Sequence, residues 1–307
     1  MRKTLIVALV LLGAVLAALQ TIRSAPLAEL PPPPISAWPH ASPPADMAAF
    51  HLLTGLVHRN AAFAYRGGSF RDKRDFAVSA VLVKHPRGDL LIDTGFGRDI
   101  AAKFQLMPFW FRAVTQYTAL SPASEQLARV GYDRSQLRAI LLTHAHWDHA
   151  SALEEFAGTP VWVTAEERKF IAEGGFAADV VRSARGVHYE TYTFASGPYL
   201  SFARSHDVYG DGAIVIVPAP GHTPGSVIVF LNLPDARRYA FIGDLTWQLE
   251  AVAQREERPL FTRFSADLDV RSTRHELQRM AALARRFPEL IIVPAHDRRA
   301  YSSLPAL

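Results

Sequence analysis

Apolar residues in this chain fall into short dense runs separated by turn residues, not into long heptads. Phe76 to Lys84 (FAVSAVLVK) and Asp89 to Asp93 (DLLID) flank the turn His85-Pro86-Arg87-Gly88, and the spacing predicts two strands with Asp93-Thr94-Gly95 closing the second. The pattern returns at Val227 to Leu231 and Tyr239 to Ile242, and this unit ends at Gly243-Asp244. Two strand-turn-strand units that each end on an Asp suggest a duplicated half. Ala139 to Leu142 and Glu289 to Val293 read as two further strands.

Helices are marked by their caps. Ser121-Pro122 opens a segment to Val130, Asp133 with Gln136 and Thr164 with Glu167 form capping boxes, and Thr273 with Glu276 starts or supports an amphipathic run to Phe287 that Pro288 stops. Strands interspersed with helices, with polar clusters at strand ends, predict an α/β layered fold. Residues 104–114 (FQLMPFWFRAV) are aromatic and broken by Pro108. They read as a loop or short helix on the core, or as an apolar lip in which Phe109 and Trp110 are candidate substrate contacts.

The first residues add a different pattern. Arg2 and Lys3 precede an uncharged apolar run from Leu5 to Leu19, the order of an export signal. Residues 4–22 number 19, near the lower limit for spanning a bilayer, so a signal anchor is the alternative to a cleaved signal. The expected location is periplasmic or secreted, or at the inner membrane with the body outside the cytoplasm. Residues 26–45 are rich in proline and predict a stiff extended spacer. The division is therefore 1–25 signal or anchor, 26–45 linker, and 46–307 one folded domain.

Composition narrows the partners. The net charge of +4 is spread in short pairs such as Arg237-Arg238, which reads as a solvated surface and excludes a nucleic-acid footprint. With no cysteine there is no disulfide and no thiolate ligand, so any metal must be held by nitrogen and oxygen. The oligomeric state is not encoded in any pattern here.

The chemistry concentrates after the strand Ala139 to Leu142, in Thr143-His144-Ala145-His146-Trp147-Asp148-His149. Residues two apart on a strand project to one side, so His144 and His146 can reach one ion, while Asp148 and His149 follow on the turn toward a second. Pro220-Gly221-His222-Thr223-Pro224-Gly225 fixes another imidazole in a tight loop, and Asp244 and His296 each follow an apolar strand. The other seven histidines, His40, His51, His58, His85, His188, His206 and His275, have no matching motif and read as surface or structural.

In this order the motifs resemble the metallo-β-lactamase-fold hydrolase superfamily, over the body from about Phe76 to His296. The resemblance implies an αββα sandwich of two mixed sheets with outer helices. It implies one ion on His144, His146 and His222 and a second on Asp148, His149 and His296, with Asp244 bridging. The cofactors would be two divalent ions, Zn²⁺ first and Fe or Mn as alternatives. Two such ions sharing a water lower its pKa and polarise a carbonyl, leaving Asp148 and Asp244 as the catalytic carboxylates. Asp93 is expected to cap the loop below the ions and not to ligate.

The 22-residue step from His222 to Asp244 is similar to that of the N-acyl homoserine lactonase branch. Where that branch carries a Tyr three residues after the bridging Asp, this chain has Trp247, a candidate substrate contact; after the histidine motif it has Ala150-Ser151-Ala152 in place of the usual Gly-Gly. The expectation is an exported dinuclear hydrolase opening an ester or lactone of a small molecule. A glyoxalase II-like thioesterase and an iron-dependent dioxygenase or oxidase use the same ligand types and are the alternatives.

Overall fold

The computed structural model describes residues 2–307. Its strands are β1 (Ala48–Asn60), β2 (Lys73–Lys84), β3 (Asp89–Ile92), β4 (Gln116–Ala119), β5 (Leu137–Leu141), β6 (Val161–Val163), β7 (Tyr189–Thr191), β8 (His206–Asp207), β9 (Ile214–Pro218), β10 (Val227–Asn232), β11 (Arg238–Phe241) and β12 (Leu290–Val293). The helices are α1 (Arg2–Gln20), α2 (Ile100–Phe104), α3 (Phe109–Val114), α4 (Ala123–Arg129), α5 (Trp147–Ala150), α6 (Ala165–Glu173), α7 (Asp179–Arg182), α8 (Leu249–Gln254), α9 (Leu260–Ala266) and α10 (Val270–Arg286).

Two mixed sheets face each other. The first runs β4-β1-β2-β3-β5-β6-β7 and the second β12-β11-β10-β9-β8. The two expected strand-turn-strand units lie one in each sheet and repeat one pairing: β2–β3 antiparallel then β3–β5 parallel, β10–β11 antiparallel then β11–β12 parallel. Alternation along the strands sorts side chains between layers. Val81, Val83, Ile92, Ile216, Val229, Leu231 and Phe241 fill the space between the sheets. Leu82, Leu91 and Ile140 point outward to meet Leu127 of α4 and Phe170 of α6. Ile228 and Phe230 meet Leu277, Met280 and Leu283 of α10. The outcome is the α/β sandwich of two mixed sheets with outer helices.

Several local expectations shift. Asp133 accepts from Ser135 N and caps only one tight turn. The cap of α10 is Asp269, whose carboxylate accepts from Arg271 N and Ser272 N, one turn before Thr273. The proline-rich segment has no regular structure, as expected, yet it is a docked strap and not a free spacer. Leu27 N donates to Arg255 O at 2.8 Å, Trp38 donates its indole N–H to Asn232 at 2.9 Å, and Leu27, Ile35 and Trp38 pack against the α10 layer. The spanning anchor expected over residues 4–22 is not supported either. The helix ends at Gln20, and among the described residues no helix is long and apolar enough to cross a membrane.

Backbone detail below the site is set by small residues. β1 slips register against β2 between Leu53 and Gly55. A Cβ on Gly55 would lie 2.2 Å from the Phe96 ring, so only glycine lets that ring sit beneath Trp147, 5.1 Å between centroids.

Candidate metal centre

The ligand-type side chains sit where strands end and the backbone turns sharply. β5 ends at Leu141, and Thr143 O accepts from Val227 N at 3.0 Å, stitching the histidine motif of the first sheet to the second. Gly221, at φ +145, holds the His222 loop against α10, where a Cβ would strike Thr273 N at 2.5 Å. Gly243, at φ +51, turns the chain after β11 so that Asp244 faces inward, and β12 delivers His296.

These turns bring together all seven residues named from the sequence. Ligand atoms converge to within 4.8 Å in three groups: His144, His146 and His222; His144, His149 and Asp244; and Asp148, His149 and His296. Asp244 lies centrally, 3.4 Å from His222 Nε2, 3.2 Å from His149 Nε2 and 3.1 Å from His296 Nε2. Asp148 Oδ2 is 3.5 Å from His296 Nε2.

A second set of contacts fixes which nitrogen faces inward. His149 Nδ1 meets Asp93 at 2.8 Å, His296 Nδ1 meets Ala77 O at 2.6 Å and His144 Nδ1 lies 3.2 Å from Thr143 Oγ1, while His222 Nδ1 faces Asp267 at 3.5 Å without a hydrogen bond. The opposite nitrogens of His144 and His149, and Asp244 Oδ1, are buried without a hydrogen-bond partner. Buried groups are rarely left so. Inward-facing imidazole nitrogens with outward anchors are the arrangement of metal ligands, and the nitrogen and oxygen donor set fits a borderline divalent cation.

The electrostatics agree. Burial, with the neighbouring imidazoles adding to it, pushes His144 and His146 well below the usual imidazole range. Burial opposes charge on His149 as well, but Asp244 and Asp93 outweigh it and raise that ring well above its ordinary value; Asp244 in turn is held well below the carboxylate range by His296 and His149 against its burial. A cation bound there would compete with the proton that Asp244 and Asp93 favour on His149.

Asp93 holds the supporting place expected of it, whereas other supporting residues carry no metal-site motif in the sequence. Asp93, at φ +55, accepts from Thr143 N and Thr143 Oγ1 as well as facing His149, so it anchors and does not join the ligand clusters. Glu167, expected only as part of a capping box, accepts from Ala145 N, Thr223 Oγ1 and Gly225 N and ties the two ligand loops together. Arg258 and Asp267 form a buried ion pair at 2.7 Å; the Arg258 guanidinium stacks on Trp247 and donates to Asp244 O. No motif in the sequence announced that pair.

An apolar cleft opens over the centre, lined by Val57, Met107, Phe111, Phe176 and Trp247, with Arg59 and Asp148 as polar members. Two of the expected substrate contacts are corrected. Phe109 and Trp110 do not line the cleft; α3 turns them outward, and Phe111 and Met107 take that place. Trp247 does line it, but its indole N–H is engaged with Asp244 Oδ2 at 2.7 Å and is not presented to a ligand.

The metallo-beta-lactamase superfamily model matches residues 74–296. The chain belongs to that superfamily. A probable metallo-hydrolase of Mycobacterium bovis is 30% identical over 72% of this chain and 74% of its own length. The N-acyl homoserine lactonase AttM of Agrobacterium fabrum is 23% identical, over 75% of this chain and 85% of that protein. Among solved structures, an N-acyl homoserine lactone hydrolase with N-hexanoyl-L-homoserine at its metal centre superposes with a TM-score of 0.67 at 17% identity, covering 84% of this chain and 96% of that one. The dizinc quorum-quenching lactonase AidC gives 0.58 at 16% identity, with 83% and 88% covered. The members of this superfamily that resemble the chain are thus metallo-hydrolases and lactonases, and the His and Asp clusters make it a metal-binding hydrolase of that fold.

Proposed function

We propose that the chain is an exported dinuclear metallohydrolase that opens an ester-type bond, with an acylated lactone as the best-fitting substrate. The observation that carries this is the pairing of the ligand clusters with the apolar cleft directly above them. The lactonase relatives support the substrate class, and the basic, then apolar, N-terminus supports export.

His144, His146 and His222 would hold one ion, Asp148, His149 and His296 the other, and Asp244 both. Bound there, divalent ions supply an activated water and an electrophilic grip on a carbonyl oxygen. The protein supplies the rest. Asp148, at the cleft floor, is placed to take a proton and return it to the leaving oxygen. Trp247 fixes the orientation of Asp244. Val57, Met107, Phe111 and Phe176 exclude water and offer surface to an acyl chain, each buried methylene contributing about 0.8 kcal/mol. Ring opening of acyl lactones differing in chain length tests the proposal. Turnover that rises with chain length and is lost in Asp148→Asn is expected; no turnover of any lactone or ester, or an unaffected variant, would refute it.

A further inference from the structure

The cleft mouth has an outer surface that the hydrolytic reading does not use. Its rim is built from α3 and α9, which line the cleft with Phe111 and with Ser265 and Ala266. Outside the lining they carry large apolar residues into solvent: Phe109 (77% exposed) and Val114 on α3, with Trp110 half-exposed at the lip where it packs edge-on against Phe176, and Leu260, Phe261 and Phe264 (89% exposed) on α9. The apolar area continues past the rim. Phe261 packs edge-on against Phe63, and Phe63 against the exposed Phe70. A soluble surface rarely gathers aromatic residues in this way around one opening.

A second observation indicates what covers it. Helix α1, exposed at Leu5, Ile6, Leu9, Val10 and Leu16, leaves the body at this same edge. Leu260 N donates to Thr21 Oγ1 at 3.0 Å, Gly67 N to Ile22 O at 2.6 Å, and Arg66 to Arg23 O at 3.0 Å. The most apolar stretch of the chain is therefore hydrogen-bonded at its base to the helix that forms the rim. Charge is complementary too. Arg23, Arg71 and Lys73 are exposed beside the patch, while the nearby carboxylates Asp72 and Asp75 are taken by Arg74 and His58.

We infer that the cleft mouth docks on an anionic lipid surface, with α1 and the rim residues Phe109, Trp110 and Phe264 entering the interfacial layer. Apolar side chains with flanking cations are the composition of interfacial membrane binders, and no helix needs to cross the bilayer. The cleft then opens toward lipid, so an acylated substrate reaches it from the membrane and not from bulk water. The inference does not depend on which bond is cleaved, and its test uses neither substrate nor added metal.

The full chain is mixed with vesicles of phosphatidylglycerol whose acyl chains are brominated, and tryptophan quenching is compared between wild type and Trp110→Phe. Quenching that largely disappears in Trp110→Phe, falls toward neutral phosphatidylcholine vesicles, and weakens about tenfold in apparent affinity for Phe264→Ser is the expected result. No quenching in wild type, or quenching that is identical in Trp110→Phe, would overturn the inference, since Trp110 and the rim would then stay out of the lipid. A lipid-free dimer that dissociates on Phe109→Ser or Phe264→Ser would also overturn it, because the patch would be covered by a second copy.

Discussion

Replacing Asp93 with Asn should weaken one metal site and leave the fold intact, because Asp93 controls the position of one proton. Its carboxylate is buried and accepts from Thr143 N at 2.7 Å, Thr143 Oγ1 at 2.8 Å and His149 Nδ1 at 2.8 Å. Asn tolerates φ +55 as well as Asp does, so the backbone is not strained. If the Asn oxygen keeps Thr143 N, its amide nitrogen faces Thr143 Oγ1 and His149 Nδ1. The hydroxyl can reverse and accept, but the imidazole can accept only by moving its proton to Nε2. That is the nitrogen facing Asp244 at 3.2 Å, and protonated it cannot ligate. Flipping the amide gives no escape, since it would orphan the buried Thr143 N–H at about 1–3 kcal/mol. Loss of such an anchor lowers metal affinity about 10–100-fold, which is roughly 1.4–2.8 kcal/mol. Competition between Asp93→Asn protein and a zinc chelator should therefore show one site weakened by that factor, with the His144, His146 and His222 site nearly unchanged. Two sites as tight as in wild type would refute the tautomer reasoning.

Three other outcomes follow from single contacts. Arg258→Met leaves Asp267 buried without its partner, which costs about 3–5 kcal/mol and should lower Tm by roughly 10 °C; a melt within 2 °C of wild type, to the order of this estimate, would show that the pair contributes little. Trp247→Phe keeps an apolar wall but removes the donor to Asp244, so kcat should fall by about tenfold with KM changed far less, and steady-state kinetics with an unchanged kcat would contradict this. Glu276 lies in the α10 layer, away from the metal residues, and burial pushes its carboxyl up to about 7 despite Arg279. A carboxyl raised in the fold binds more protons folded than unfolded, so stability falls as pH rises from about 4.5 to 7; Glu276→Gln should then gain roughly 3 kcal/mol over wild type at pH 8 and lose that advantage near pH 4, as read by denaturant melts at both pH values.

Strands β2, β3, β5, β10, β11 and β12 and the seven metal-type residues were legible because they lie in or directly after short apolar runs, where periodicity and turn residues speak together. Strands β4 and β6 to β9 were not anticipated, and nor was β1. Its Gly55 and His58 interrupt the alternation, and its register slips at Gly55, whose missing Cβ leaves room for Phe96 from far along the chain. Sequence leaves open whether Thr273 starts or supports α10 because Asp269 has a cap's chemistry too, and only the backbone shows which side chain accepts. Asp267, Arg258 and Ala77 O support the centre from three different elements, and no local spacing links them to it. Phe109 and Trp110 were correctly seen as unusual, but which side of a two-turn helix faces a cleft depends on what it packs against. The same is true of the proline strap: composition gave an extended chain, and tertiary contacts decided that it lies on α10.

The most direct test is metal content per chain of full-length protein purified without chelator, with lactone and ester hydrolysis followed on the same sample. Two divalent ions per chain are expected, bound before turnover and lost together with it on chelation. A protein that hydrolyses these substrates equally well without metal, or that holds a single iron and hydrolyses none of them, would contradict this.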